Sequence, residues 1–520
     1  MNGAQSLIRT LVGAGVDVCF TNPGTSEMHF VAALDDVLQM RGVLGLFEGV
    51  VTGAADGYAR MAGRPAGALL HLGPGLGNGL ANLHNARKGN VPVVAIIGDH
   101  ATYHRGLGAP LESDIETVAR NVSVWVRTSA APERVGADAA EAVAAAIGAP
   151  GQVATLILPA DVSWSDGGRV AAAVPPVGRM PVSGDVIDAA TAAARSGGST
   201  LLLLGGPLLA DPGALDAARR ICVVTGARML AETFPTRLSR GAGVAPVERL
   251  GYFAEQATAQ LDGVEHLLLV GAAPPVTFFA HPGRPNELAP EGCRVHPVAG
   301  PADDGAAALD ALAAALSADA ATAAAQPAAR RPPRPAGALD AAAIARAVGA
   351  LLPEGAIVSD EAITSGAPLP AATAGAPRHD WLTLTGGAIG QGLPVATGAA
   401  VACPDRKVVA LQADGSAMYT LQALWTQARE GLDVTTIIYN NASYEILKVE
   451  LDRVGATGAG ERALDLYDIG RPRLDFVALA RGMGVPGTRA ETAEQLTEQL
   501  ERALAEPGPA VIDAVVPQLD

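Results

Sequence analysis

Short, mostly apolar runs alternate along the chain with Gly-containing turns and amphipathic or Ala-rich stretches. Val16–Phe20, Ala66–Leu70 and Val93–Ile97 lie in the first third; Leu201–Leu204, His266–Val270 and Arg294–Val298 in the middle; Ala356–Val358, Val408–Leu411 and Ala510–Val515 in the last. Strands with so little polar alternation are buried on both faces, which requires parallel sheets covered by helices. Two Pro-rich breaks, Val174–Pro181 and Pro327–Pro335, interrupt the pattern, the second behind an Ala-rich stretch expected to be a helical tail. Proline at that density blocks helix and central strand alike, so both breaks are predicted to be linkers. The predicted fold is α/β, with three doubly wound parallel-sheet domains over residues 1–173, 182–320 and 336–520.

Composition narrows the class. At 520 residues the chain exceeds a single core. A hydrophobic share of 49% with only 4% aromatic residues predicts cores of Ala, Val and Leu. The net charge of −16 opposes nucleic acid or an anionic membrane as the principal partner. No run reaches about 18 charge-free apolar residues, and the N-terminus lacks a continuous apolar core, so neither a membrane span nor a signal peptide is expected. Cys19, Cys222, Cys293 and Cys403 show no Cys-x-x-Cys spacing and read as buried thiols in a reducing cytoplasm.

The chemistry concentrates in two places. Asp414-Gly415-Ser416 follows the run Val408–Leu411, and Asn440-Asn441 closes the run Val434–Tyr439, with Asn441 27 positions after Asp414 (441 − 414). A predicted helix over Leu421–Arg429 completes a strand–helix–strand unit that brings Asp414 and Asn441 to the carboxyl ends of adjacent parallel strands. One carboxylate among neutral oxygens suits Mg²⁺ bound to a diphosphate. The helix start after Asp414 adds N–H groups for the anion, and Ser416 a hydroxyl. Near the N-terminus, Glu48 stands among Leu46, Phe47, Gly49 and Val50 with no competing charge. Burial there favours a shared proton over a free carboxylate. Gly73, Gly75, Gly77 and Gly79 look like a dinucleotide fingerprint, but Asn78 stands where that fingerprint needs Gly.

Asp414–Ser416 with Asn440-Asn441, and separately Asn22–Glu27, Phe47–Gly49, Ala54–Arg60, Gly73–Gly75 and Asn78, resemble in order and spacing the thiamine diphosphate (ThDP) enzymes of the acetolactate synthase and benzoylformate decarboxylase group. The resemblance covers nearly the whole chain, with Ala413 standing where the family usually has Gly. It implies Mg²⁺ on Asp414, Asn441 and the Ser443 carbonyl. Cofactor contacts are implied at Pro23, Asn78, Thr364, Gly415, Ser416 and Tyr444. The Gly387 carbonyl would accept from the 4′-amino group, with Ile389 as the wedge that bends the cofactor. Glu48 would hydrogen-bond the pyrimidine N1′, so that the amino group can deprotonate the thiazolium C2. His71 would relay protons. Thr25 keeps the hydroxyl that benzoylformate decarboxylases carry as Ser, and a second catalytic histidine either falls near His281 or is absent. His100, His104 and Arg105 occupy a loop able to face the pocket.

The expected function is ThDP- and Mg²⁺-dependent decarboxylation of a small 2-oxo acid, acetolactate synthase-like, with carboligation open. The alternatives are a non-ligating benzoylformate decarboxylase-like enzyme, a 2-hydroxyacyl-CoA lyase, and a non-catalytic partner of the same fold, against which Glu48 and Asp414 speak. The family builds its sites between subunits, which implies a homodimer or homotetramer. FAD is not expected, because the middle-domain turns Gly205-Gly206-Pro207 and Gly271–Pro275 are interrupted by Pro and offer few N–H donors to a diphosphate.

Overall fold

The computed structural model describes residues 1–318, 328–456 and 458–518. The domain boundary expected at 320 and part of the expected Ala-rich tail lie outside them. Strands β1 (Val18–Thr21), β2 (Arg41–Leu44), β3 (Ala66–His71), β4 (Val93–Asp99), β5 (Trp125–Thr128) and β6 (Val153–Pro159) form a parallel sheet in the order β2-β1-β3-β4-β6-β5. All of β4 and β6 is buried, as the unbroken apolar runs require.

The middle of the chain supplies β7 (Thr200–Leu204), β8 (Arg228–Ala231), β9 (Leu238–Arg240), β10 (Glu248–Arg249), β11 (His266–Val270) and β12 (Arg294–Ala299). Five of them make the second parallel sheet, β10-β8-β7-β11-β12. The sixth, β9, leaves this domain and pairs antiparallel with the edge of the third sheet. That sheet holds β13 (Ile357–Glu361), β14 (His379–Thr383), β15 (Val408–Ala413), β16 (Val434–Asn440), β17 (Gly487–Ala490) and β18 (Ala510–Val515), ordered β17-β18-β16-β15-β13-β14-β9. The middle and C-terminal domains are therefore stitched together by a strand that sequence periodicity did not separate from its neighbours.

The first and third domains meet through two helices, Glu48–Ala62 and Gly392–Ala402. A Cβ at Gly57 would collide with the Val395 carbonyl, and one at Gly398 with the Ala54 carbonyl, so only glycine permits this approach. Beside the contact a buried first-domain pair, Arg60 with Asp56, is bonded by the third domain: Arg60 donates to the Thr383 carbonyl at 2.8 Å, and Gln391 Nε2 donates to Asp56 at 2.5 Å. This junction fixes where Glu48 sits relative to the Gly386–Gly390 loop. Cys19 is buried as expected, but Cys222, Cys293 and Cys403 are only half-buried, and none of the four is bonded. Among the described residues no helix is long and apolar enough to cross a membrane.

Candidate active site

Glu48 opens its helix and is buried, held from both sides: Asn22 Nδ2 donates to Oε1 at 3.2 Å and Asn78 Nδ2 to Oε2 at 3.0 Å. Asn78, implied as a cofactor contact, donates to this carboxyl. Asn22 follows β1 and His71 ends β3, so adjacent strands deliver the cluster at their carboxyl ends. Pro23 is half-buried; Thr25 is exposed, and its hydroxyl makes no hydrogen bond among the described residues.

Behind His71 lies Glu27, a residue to which the sequence assigned no role. Its Oε2 is 2.9 Å from His71 Nδ1 and accepts from the Gly24 N–H at 2.7 Å. Burial pushes the Glu27 carboxyl up, against the pull of the Gly24 N–H and His71. An acidic residue three places beyond Gly24 at the start of a helical turn is a capping pattern, the one signal that could have found it. His100 and His104 pack with tilted rings, centroids 5.2 Å apart, and Arg105 pairs with Asp99, in a largely exposed loop.

At the carboxyl ends of β15 and β16 the second cluster assembles. Asp414 is buried at the start of the short helix Asp414–Ala417, its Oδ1 accepting from the Gly415 N–H and Oδ2 from the Ala442 N–H, both at 2.7 Å. Burial pushes this carboxyl up to about 6, partly offset by those N–H groups. Asn441 Oδ1 accepts from the Ser443 N–H at 3.0 Å, and the buried Ser443 hydroxyl has no partner among the described residues. The Tyr444 ring lies on Gly415, where a Cβ would strike it. Among the described residues no three His, Cys, Asp or Glu side chains cluster for a metal, so an ion here must rest on one carboxylate and neutral oxygens. The Ser416 hydroxyl is engaged by the protein, donating to the Ala413 carbonyl at 3.1 Å and meeting Gln412 Nε2 at 2.5 Å.

Between the clusters runs the loop Gly386–Gly390. Gly387 has φ 78° and Gly390 φ 93°, conformations open to glycine, and Ile389 between them is half-buried. Asn82, His84 and Asn85 of the helix Leu72–Lys88 all reach loop carbonyls. Glu361, the last residue of β13, accepts from the Gly390 and Gly392 N–H groups at 2.6 Å each, and burial raises its carboxyl. Thr364 lies in the adjoining turn Ile363–Gly366 and is half-buried. Leu72, Ile363 and Ala442 hold positive φ of 52°, 52° and 57° next to His71, Thr364 and Asn441. Strained non-glycine backbone beside three site residues is a mark of functional constraint. His281 of the middle domain meets Glu450.

The two clusters lie in the first and third domains, and each of these domains matches a known family. A model of the N-terminal TPP binding domain of thiamine pyrophosphate enzymes matches residues 1–119, and one of the C-terminal TPP binding domain matches residues 370–514. Over the full length of both chains the protein is 61% identical to the Mycobacterium tuberculosis protein named "Putative acetolactate synthase large subunit IlvX". It is 31% identical, over 96% of each chain, to benzoylformate decarboxylase of Pseudomonas aeruginosa. The chain belongs to the thiamine pyrophosphate enzyme family. Among solved members of this family, the ThDP-dependent 4-hydroxybenzoylformate decarboxylase of Rhodococcus jostii superposes over all of both chains with a TM-score of 0.85 at 26% identity. Benzoylformate decarboxylase of Polynucleobacter necessarius shares the fold, with a TM-score of 0.83 at 22% identity over 100% of this chain and 99% of its own.

Proposed function

We propose that this thiamine pyrophosphate enzyme is a Mg²⁺-dependent decarboxylase of a small 2-oxo acid, working at sites formed between two copies of the chain. The observation that carries the reading is the buried Glu48 carboxyl with both oxygens held, one by Asn22 and one by Asn78. When bound, ThDP supplies at its thiazolium C2 a carbon nucleophile that adds to the 2-oxo group and takes up the electron pair left by CO₂. Glu48 holds the proton shared with the pyrimidine N1′, at a site from which its neighbours exclude other charges. The Gly387 carbonyl would accept from the 4′-amino group, and Ile389 would support the bound cofactor. Asp414, Asn441 and the Ser443 carbonyl would hold Mg²⁺; a carboxyl raised to about 6 by burial and an unpartnered Ser443 hydroxyl fit a place built for a cation and its oxygens. The Gly415 backbone and Tyr444 would hold the diphosphate. His71, with Nδ1 on Glu27, keeps Nε2 free for proton exchange with the oxygen of the 2-oxo group.

Carboligation is the second reading, favoured by the 61% identity to a relative that bears the name of an acetolactate synthase. Flavin is not part of the proposal: the Gly205 N–H is spent on the Val270 carbonyl and the Gly206 N–H on Glu232, whose carboxyl is no host for a diphosphate. Four cysteines without a disulfide suit a reducing cytoplasm. The test is incubation with ThDP, Mg²⁺ and a panel of 2-oxo acids that includes pyruvate and benzoylformate, following CO₂, aldehyde and acyloin. CO₂ with an equal yield of aldehyde is the expected result, and acyloin in place of aldehyde selects the second reading. ThDP binding with no CO₂ from any acid sinks both.

A further inference from the structure

His281 is buried, with its side chain 7% exposed, and its Nε2 stands 2.7 Å from Glu450 Oε2. The other Glu450 oxygen, Oε1, accepts from the Tyr252 hydroxyl at 3.2 Å. His281 Nδ1 is also buried, yet it has no hydrogen-bond partner among the described residues. Leaving a buried polar atom unpaired is unfavourable, so packing alone gives no reason for this arrangement. The surroundings place it at the site. Glu450 lies on the helix Glu445–Arg453, whose N-cap is Tyr444, the residue after Ser443. Tyr252 packs against Phe278 with ring centroids 5.3 Å apart, and the Phe278 ring covers Gly387. The three side chains are thus bracketed by the Asn441–Tyr444 loop and the Gly386–Gly390 loop. Arg453, on the same helix as Glu450, and Arg284, three residues after His281, both pair with Glu255.

We propose that Glu450, braced by Tyr252, is a positioning residue that fixes His281 as the Nε2–H tautomer and so makes Nδ1 the atom that exchanges protons with the substrate. The inference rests on the reading of the protein as a 2-oxo acid decarboxylase. A carboxylate accepts and does not donate, so the neutral ring must put its hydrogen on Nε2 and its lone pair on Nδ1. When Nδ1 takes a proton, the same carboxylate stabilises the imidazolium, as in the acid–histidine pairs of hydrolytic enzymes. The overall step is R–CO–COO⁻ + H⁺ → R–CHO + CO₂. The C–COO⁻ bond breaks, its electron pair stays with the acyl carbon, and that carbon receives the proton from Nδ1, which water then restores. Glu450 and Tyr252 end as they began.

The test uses the full chain with ThDP and Mg²⁺, labelled with ¹⁵N-histidine, and His281 is assigned by the signal lost in His281→Gln. The native chain should show the Nε2–H tautomer at His281. Glu450→Leu should abolish that preference and lower kcat on pyruvate or benzoylformate by about 10²-fold, with ThDP-induced stabilisation and C2 hydrogen exchange of the cofactor unchanged. Glu450→Gln keeps the acceptor and should restore the tautomer. An Nδ1–H tautomer in the native chain, or native tautomer or kcat in Glu450→Leu, overturns the proposal. If Glu450→Leu does not fold, Tyr252→Phe takes its place, and a His281 ring as fixed as in the native chain overturns the role of Tyr252. The tautomer readout needs no substrate, so it decides even where neither acid is turned over. A native chain that ThDP and Mg²⁺ fail to stabilise would overturn the functional reading and leave the tautomer result standing.

Discussion

The Asn85 side chain clasps the backbone of Ala388 on both of its polar groups, Nδ2 donating to the carbonyl at 2.8 Å and Oδ1 accepting from the N–H at 3.1 Å. Ala388 lies between Gly387 and Ile389, so a helix of the first domain sets the height of the loop on which the cofactor would bend. Asn85→Ala leaves two half-buried backbone groups unpaired and should cost about 1 kcal/mol in denaturant unfolding. Asn85→Asp keeps the acceptor only and should fall between. A variant as stable as the native chain would make the clasp incidental.

Glu48→Gln should preserve the fold, because the amide oxygen can still accept from one asparagine. What it loses is the proton shared with the pyrimidine. General acid–base groups are typically worth about 10²–10⁴ in rate, and hydrogen–deuterium exchange at C2 of bound ThDP should slow by that order. Exchange at the native rate would remove Glu48 from the chemistry.

Asp414→Ala should abolish the rise in melting temperature that ThDP and Mg²⁺ give the native chain. The pH dependence follows from the direction of the shift. With its carboxyl held up to about 6 by burial, Asp414 takes on a proton as pH falls through that value, and the proton competes with the cation. Mg²⁺ affinity should therefore weaken by up to about tenfold per pH unit below 6. Titration calorimetry at pH 5 and 7 reads it, and an affinity flat across that range would place the cation elsewhere.

Much of the candidate site was legible because its residues lie in contiguous motifs that local strand and turn chemistry positions: Glu48, His71, Asp414–Ser416, Asn441. The unread residues act at a distance. Asn85 bonds a loop 303 positions away, and Glu450 a histidine 169 positions away. Glu361 caps N–H groups 29 to 31 positions on, through a turn whose path is set by packing and not by propensity. The three-residue β9 shows no periodicity, so its departure to the third sheet depends wholly on tertiary pairing.

Glu232 offers a stability test remote from the chemistry. It accepts from the Gly206 N–H at 2.8 Å, and burial pushes its carboxyl up from the ordinary 4.5 to about 7. The folded chain thus holds this proton more tightly than the unfolded chain. Its contribution is fully present below pH 4.5 and is lost as pH rises through about 7, up to about 3 kcal/mol in all. Glu232→Gln keeps the hydrogen bond and carries no charge, so it should melt higher than the native chain at pH 8 and alike at pH 4. Equal melting temperatures at pH 8 would show the carboxyl to be well solvated.

The last prediction concerns where one site ends and the next begins. Among the described residues no direct hydrogen bond joins the Glu48 cluster, held by Asn22 and Asn78, to the Asp414 cluster, held by Gly415 and Ala442. If each site takes Glu48 from one copy and Asp414 from another, two inactive variants can repair each other. A dimer of one Glu48→Gln chain and one Asp414→Ala chain has one site with both defects and one with neither. Random pairing of equal amounts makes half the dimers mixed, so about a quarter of all sites should regain function. Fast C2 exchange of bound ThDP reports those sites directly and needs no substrate. Sites built within single chains would show no recovery at any mixing ratio after subunit exchange, and that outcome would overturn the shared-site arrangement while leaving the roles of Glu48 and Asp414 intact.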